Sequence, residues 1–141
     1  SMSPTDSQLV GTWALLRFEL RLPDGTVTYP FGQEVGGLLM YDETGHMSAV
    51  FGSAKREVSP EVDLEKASAS QNYDSFMSYC GPYGGNGGQI LPRVAMSSLK
   101  AWAGTVQERR FEITDDHLIL ETLPLVIGDA SPVGRLLWRR L

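Results

Sequence analysis

The sequence predicts an all-β fold, a closed antiparallel barrel of about eight to nine strands with one short helix, and three observations predict it. Fifteen glycines and eight prolines punctuate the chain roughly every eight to twelve residues, the spacing of turns between short strands. Between them the apolar residues alternate or run continuously, with little sign of helical periodicity. The number of such segments matches a sheet just wide enough to close around one small molecule.

Residues 1–7 read as a flexible N-terminal tail, with Ser1 ahead of Met2 an expression remnant, and 8–141 as one barrel domain. LVGTWALLRFELRL (9–22) is a long first strand ended by Pro23-Asp24-Gly25, where glycine supplies a positive φ, and the chain resumes at Thr26 to Tyr29. GGLLMYD (36–42) and HMSAVFG (46–52) form a hairpin about Glu43-Thr44-Gly45. Ser59 as N-cap, Pro60 at the first helical position, and Glu61 and Asp63 near the positive end predict a helix over 60–72. It serves as a lid or packs outside the barrel. FMSYCGPY (76–83) and QILPRVAM (89–96) make a second hairpin around Gly84 to Gly88. WAGTVQERRFEIT (102–114) meets HLILETLP (117–124) across Asp115-Asp116, and GRLLWRRL (134–141) closes the chain.

Composition narrows the partners. A length of 141 residues suits one domain, and 42% hydrophobic with 21% charged residues is ordinary for a globular chain. The net charge of −5 argues against nucleic acid or an anionic membrane, which both require a basic face. No run is long enough for a membrane span, and the N-terminus lacks a secretory pattern, so a cytoplasmic location is expected. Cys80 has no partner cysteine, which suits a reducing compartment. His46 and His117 each follow a turn at a strand start and read as solvated. Without an inward histidine, zinc coordination and serine or cysteine triads lack their parts, and no cofactor or metal is expected. Gly84 to Gly88 is followed by no Lys-Ser or Lys-Thr and no helix, so it is a hairpin loop and not a phosphate cradle.

Side-chain parity assigns residues to the two faces of the wall. In 105–113, Thr105, Gln107, Arg109, Phe111 and Ile113 face inward because Glu108, Arg110 and Glu112 take the other side. An amide and a guanidinium therefore enter an otherwise apolar wall. Met47, Ala49 and Phe51 share an inward face, with Tyr41 opposite them; Met77, Tyr79, Gly81 and Tyr83 share another, as do Ile90, Pro92, Val94 and Met96. The first strand leaves two alternatives. Ala14, Leu16, Phe18 and Leu20 oppose Arg17, Glu19 and Arg21, yet Trp13 has the parity of the charged set. Either a bulge shifts the register after Trp13, or Arg17 and Glu19 point inward.

GTWALLRFE, YPFGQEVGGLLMYDETGHMSAVF, MSYCGPY, WAGTVQERRFEITDDHLILET and GRLLWRR, in that order, resemble the lipocalin-like domain family of bacteria and fungi across nearly the whole chain. The resemblance implies an antiparallel barrel with a central cavity, in which Trp13 packs near the closed end against Arg139 or Arg140. Members often occur among natural-product pathways, and some similar barrels are cyclases or isomerases of polyketide-like substrates. Relatives often carry histidines on the strand that here contains Pro92-Arg93, so proton transfer from that position is not open to this chain.

These residues define a candidate site. Arg109 and Tyr79 would polarise a carbonyl or enolate oxygen, and Glu19, if inward beside Arg17 or Arg109, would act as an acid or base. Arg17, Tyr41, Met47, Phe51, Tyr83, Met96, Trp102 and Gln107 would contact the ligand, Trp102 as a gate at the mouth. The expected activity is a cyclase or isomerase acting on a hydrophobic polyketide- or terpenoid-like intermediate, since holding a reactive geometry needs few catalytic groups. The alternative is a non-catalytic carrier of a small hydrophobic metabolite; a weaker one is an interaction barrel filled by its own side chains. The chain is expected to be a monomer or homodimer.

Overall fold

A computed structural model of the chain describes residues 7–55, 76–125 and 129–141. Among them, ten strands form one antiparallel sheet: β1 (Gly11–Arg21), β2 (Val27–Thr28), β3 (Val35–Tyr41), β4 (His46–Ser53), β5 (Phe76–Asn86), β6 (Gln89–Pro92), β7 (Met96–Ser97), β8 (Arg109–Thr114), β9 (His117–Thr122) and β10 (Val133–Arg140). A short 3-10 helix, Lys100–Trp102, lies between β7 and β8. The helix expected over 60–72 falls outside the described residues. Strand order is β10-β9-β8-β6-β5-β4-β3-β1, and β10 pairs back onto β1. Eight strands thus close a ring, with β2 added beside β1 and β7 beside β5.

The closing ladder decides the register left open by the sequence. Eight residue pairs join β1 to β10, from Trp13 opposite Arg140 to Arg21 opposite Val133, with a bulge between Leu15 and Arg17. Trp13 and Leu15 face inward opposite Arg140 and Trp138; past the extra residue, Phe18 and Leu20 face inward opposite Leu136 and Gly134. The bulge lets an odd-numbered and an even-numbered apolar set line the same wall. It also sends Arg17 and Glu19 outward.

A second irregularity corrects another expectation. QILPRVAM is not one strand: β6 ends at Pro92, Arg93 makes an isolated bridge to Val106, and only Met96 and Ser97 pair again with β5. From Tyr83 to Cys80 β5 advances three residues, while its partner advances four, from Pro92 to Met96. The extra residue turns Met96 outward, where it is 72% exposed, while Val94 stays buried. β5 also continues through Gly84 and Gly85, so the turn is only Gly87-Gly88, both at positive φ, as a two-residue hairpin requires. Likewise WAGTVQERRFEIT becomes a strand only from Arg109; Trp102 sits on the 3-10 helix.

The close approach of the 93–95 segment to β5 depends on Gly81, at φ 158°. A Cβ there would collide with the Arg93 carbonyl and lie 2.9 Å from the Ala95 nitrogen, two groups held by Arg93 N–H to Pro82 O at 2.8 Å and Ala95 N–H to Cys80 O at 2.9 Å. Gly81→Ala is expected to lower urea-unfolding stability by more than about 3 kcal/mol. Gly25→Ala, at a turn with nothing within 4 Å of its Cβ, should lose only about 1–2 kcal/mol, the cost of a positive φ.

Candidate ligand-binding interior

One end of the barrel is plugged. Trp13 is fully buried, donates through Nε1 to Leu9 O at 2.9 Å, and lies under the Arg140 guanidinium, whose Cζ is 4.1 Å from the ring centroid. Arg140 also donates Nη1–H to Val10 O at 3.0 Å and Nη2–H to Gln8 O. The clasp ties the start of β1 to the end of β10, with a cation–π contribution of ~0.5–2 kcal/mol. Leu39, Leu118, Ile90, Val94 and Trp138 are buried as well.

Towards the opposite end the interior is looser. Phe18, Val35 and Met77 stand on the strand ends remote from the clasp and, with Phe31 and Phe111, remain only partly buried although they pack on the core. Phe18 and Met77 pair with inward residues, Leu136 and Phe51, and Phe111 pairs with Leu120. Phe18, Phe31 and Phe51 form an aromatic cluster with centroids 5.3–6.0 Å apart.

Arg109 is the polar centre of this interior. It is 6% exposed, its Nη1–H donates to Glu108 O at 3.1 Å, and its Cζ lies 5.4 Å from the Trp102 ring centroid. Among the described residues the ion pairs are Arg17–Glu19, Arg21–Glu19, Lys55–Glu34 and Arg135–Glu121; none includes Arg109. Trp102 packs edge-on against Tyr79 at 5.6 Å, and Tyr41 against Tyr83 at 4.9 Å. Burial pushes the Tyr79 phenol above its ordinary range, with the Arg109 charge pulling the other way. Burial pushes Tyr41 well above its ordinary range too; the nearby Tyr79 adds to this and Arg109 opposes it. The result is a group of proton donors in apolar surroundings.

The strap from Trp102 to Gln107 holds Trp102 in place. Gln107 Nε2 donates to Thr105 Oγ1 at 2.7 Å, Thr105 Oγ1 donates to Trp102 O at 2.6 Å, and Gln107 N–H donates to Pro92 O at 2.9 Å. The amide of Gln107 is therefore engaged in positioning the indole over Arg109, a role that also falls to Thr105 and that parity alone does not signal.

The family described as the lipocalin-like domain matches residues 10–141. The chain belongs to that family. Among solved structures, this lipocalin-like barrel is similar to a lipocalin-like protein from Bacteroides uniformis ATCC 8492, at 16% identity and a TM-score of 0.48 over 94% of this chain and 98% of that one. No curated protein matches the chain.

The lipocalin-like barrel gathers Arg109, Tyr79, Tyr41, Tyr83 and Trp102 into one interior region, with Met47 and Phe51 buried on the same wall. Three expected site residues lie elsewhere. The Arg17 side chain is 55% exposed. Glu19 is buried, but on the outer face, opposite Arg135 and 3.4 Å from Arg21 Nε; the bulge removes both from the interior. Met96 faces solvent for the reason given above. His46 and His117 are exposed, and Thr44 Oγ1 lies 2.8 Å from His46 Nδ1 in a turn that Asp42 organises. Among the described residues no cluster of His, Cys, Asp or Glu is arranged to hold a metal ion, and no helix is long and apolar enough to cross a membrane.

The buried phenols set an alkaline limit. Their folded pKa values lie above the unfolded value near 10, so the unfolded chain releases these protons first and stability falls as pH rises past ~10. Urea midpoints measured from pH 8 to 11 should decline above pH 10. Tyr41→Phe should flatten the decline.

Proposed function

We propose that this barrel encloses one small, mainly hydrophobic molecule and holds its carboxylate, enolate or carbonyl oxygen on Arg109. The observation that carries the reading is a guanidinium buried in an apolar interior with no carboxylate beside it among the described residues. A buried unpaired charge is costly, and an oxygen anion arriving in such a site gains a charge-assisted hydrogen bond that water does not compete for. Apolar walls with a few convergent donors are the usual composition of a small-molecule site. We place this activity in the cytoplasm, as the single unpaired Cys80 suits.

A second reading adds turnover: cyclisation or isomerisation of a polyketide- or terpenoid-like intermediate in a natural-product pathway. The donor set favours it, since Arg109 and Tyr79 are suited to stabilise a developing oxyanion. With Glu19 on the outer face, this reading assigns catalysis to geometry and oxyanion stabilisation, not to a carboxylate base.

Two probes test the site. The anionic 1-anilinonaphthalene-8-sulfonate and the neutral N-phenyl-1-naphthylamine are both expected to fluoresce on binding. Arg109→Ala should weaken the anion at least tenfold and leave the neutral probe within twofold; equal losses for both probes, or no change for either, would sink the assignment. For an identified substrate, Arg109→Ala should reduce turnover by ~10²-fold if the protein is an enzyme. Without ligand, Arg109→Met should melt no lower than the parent, because an uncompensated buried charge is replaced by an apolar chain of similar length. A loss of ~3–5 kcal/mol would instead mark Arg109 as a structural ion.

A further inference from the structure

Trp138 is 1% exposed and stands inward on β10, opposite Leu15 on β1 and Leu118 on β9, both buried. Its indole Nε1 is buried without a hydrogen-bond acceptor among the described residues. Trp13, one layer nearer the plug, meets the same requirement within its own segment by donating to Leu9 O at 2.9 Å. A buried donor left unsatisfied costs about 1–3 kcal/mol, and buried polar groups are nearly always paired. What Trp138 meets instead is the Phe51 ring, edge-to-face with centroids 5.8 Å apart and planes at 88°. Such a contact is worth less than an N–H···O bond. Phe51 is also the innermost member of the aromatic cluster that runs through Phe18 to Phe31, on the looser side of the barrel.

We propose that Trp138 Nε1–H is a second ligand-binding group, taking a neutral oxygen acceptor such as a ketone, ester or ether when the Phe51 ring turns aside. The acceptor is neutral because Leu15, Leu118 and Phe51 around the indole offer no charge to balance an anion. This deepens the Arg109 reading and rests on it: Arg109 takes the acidic end of the ligand and Trp138 a neutral oxygen at a distance. Arg109 stands opposite Thr122 and Trp138 opposite Leu118 on the intervening strand, four residues apart, or about 13 Å along β9 at ~3.3 Å per residue. Both side chains project inward, so the two ligand oxygens are separated by on the order of 10 Å. The substrate class is a hydrophobic oxo- or alkoxy-acid.

The experiment compares decanoate with 9-oxodecanoate, each displacing N-phenyl-1-naphthylamine from the wild-type protein. The keto acid should bind about tenfold more tightly, one neutral hydrogen bond's worth. In Trp138→Phe, which keeps an aromatic ring and removes the N–H, the two acids should bind equally. A readout independent of the variant is the Trp138 indole resonance in an ¹H–¹⁵N spectrum of the wild type. It should move downfield with 9-oxodecanoate and hold still with decanoate. If both acids bind through Arg109 with equal affinity and the resonance does not move, the Trp138 proposal is overturned and the Arg109 reading stands. If neither acid binds, or Arg109→Ala leaves both affinities unchanged, both fall.

Discussion

Closure of the sheet between β1 and β10 is the constraint on which the rest depends. Without that ladder, β1 and β10 would each present an open edge, and no inside would exist for Arg109 or Trp138 to face. The ladder works because of its bulge: a regular strand would have carried either Trp13 or Phe18 inward, not both. The Arg140 clasp over Trp13 then seals one end, placing a half-buried cation on an indole face and satisfying carbonyls ahead of β1 with the same guanidinium.

The interior combines two kinds of energetics. Near the clasp, residues with no exposed surface fill the space as in any well-packed core. The same wall also carries the Arg109 cation and the Tyr41 and Tyr79 phenols, and among the described residues the Trp138 indole is left without an acceptor. Stability and binding pull in opposite directions at such positions, since each unsatisfied group weakens the empty barrel and rewards an occupant.

Much of this was legible in the sequence. Turn residues and alternation indicated the sheet and its closure, and charge on the even-numbered residues of 108–112 was enough to aim Arg109 inward. The same parity logic placed Met47, Phe51, Tyr79 and Tyr83. It was ambiguous or wrong where the backbone gains one residue. In β1 the mismatch of phase between Trp13 and Phe18 left a bulge or an inward Arg17 and Glu19 as alternatives, and the bulge is the one found. After Pro92 an extra residue that the pattern did not signal exposed Met96. Bulges are set by pairing partners far along the chain, so local pattern can suggest one but not fix it. The roles of Thr105 and Gln107 in steadying Trp102 were invisible for a related reason, because they arise in an irregular strap without periodicity.

The bulge in β1 also divides that strand into two segments whose inward faces are chosen independently. Below it, Trp13 and Leu15 serve the permanent seal; above it, Phe18 and Leu20 line the more accessible space. Substitutions above the break can reshape what the barrel accommodates while the seal keeps its phase, and a deletion that erased the extra residue would reverse one half against the other. Ligand preference and barrel integrity are thereby separable within a single strand, which gives variation a place to act without unsealing the container.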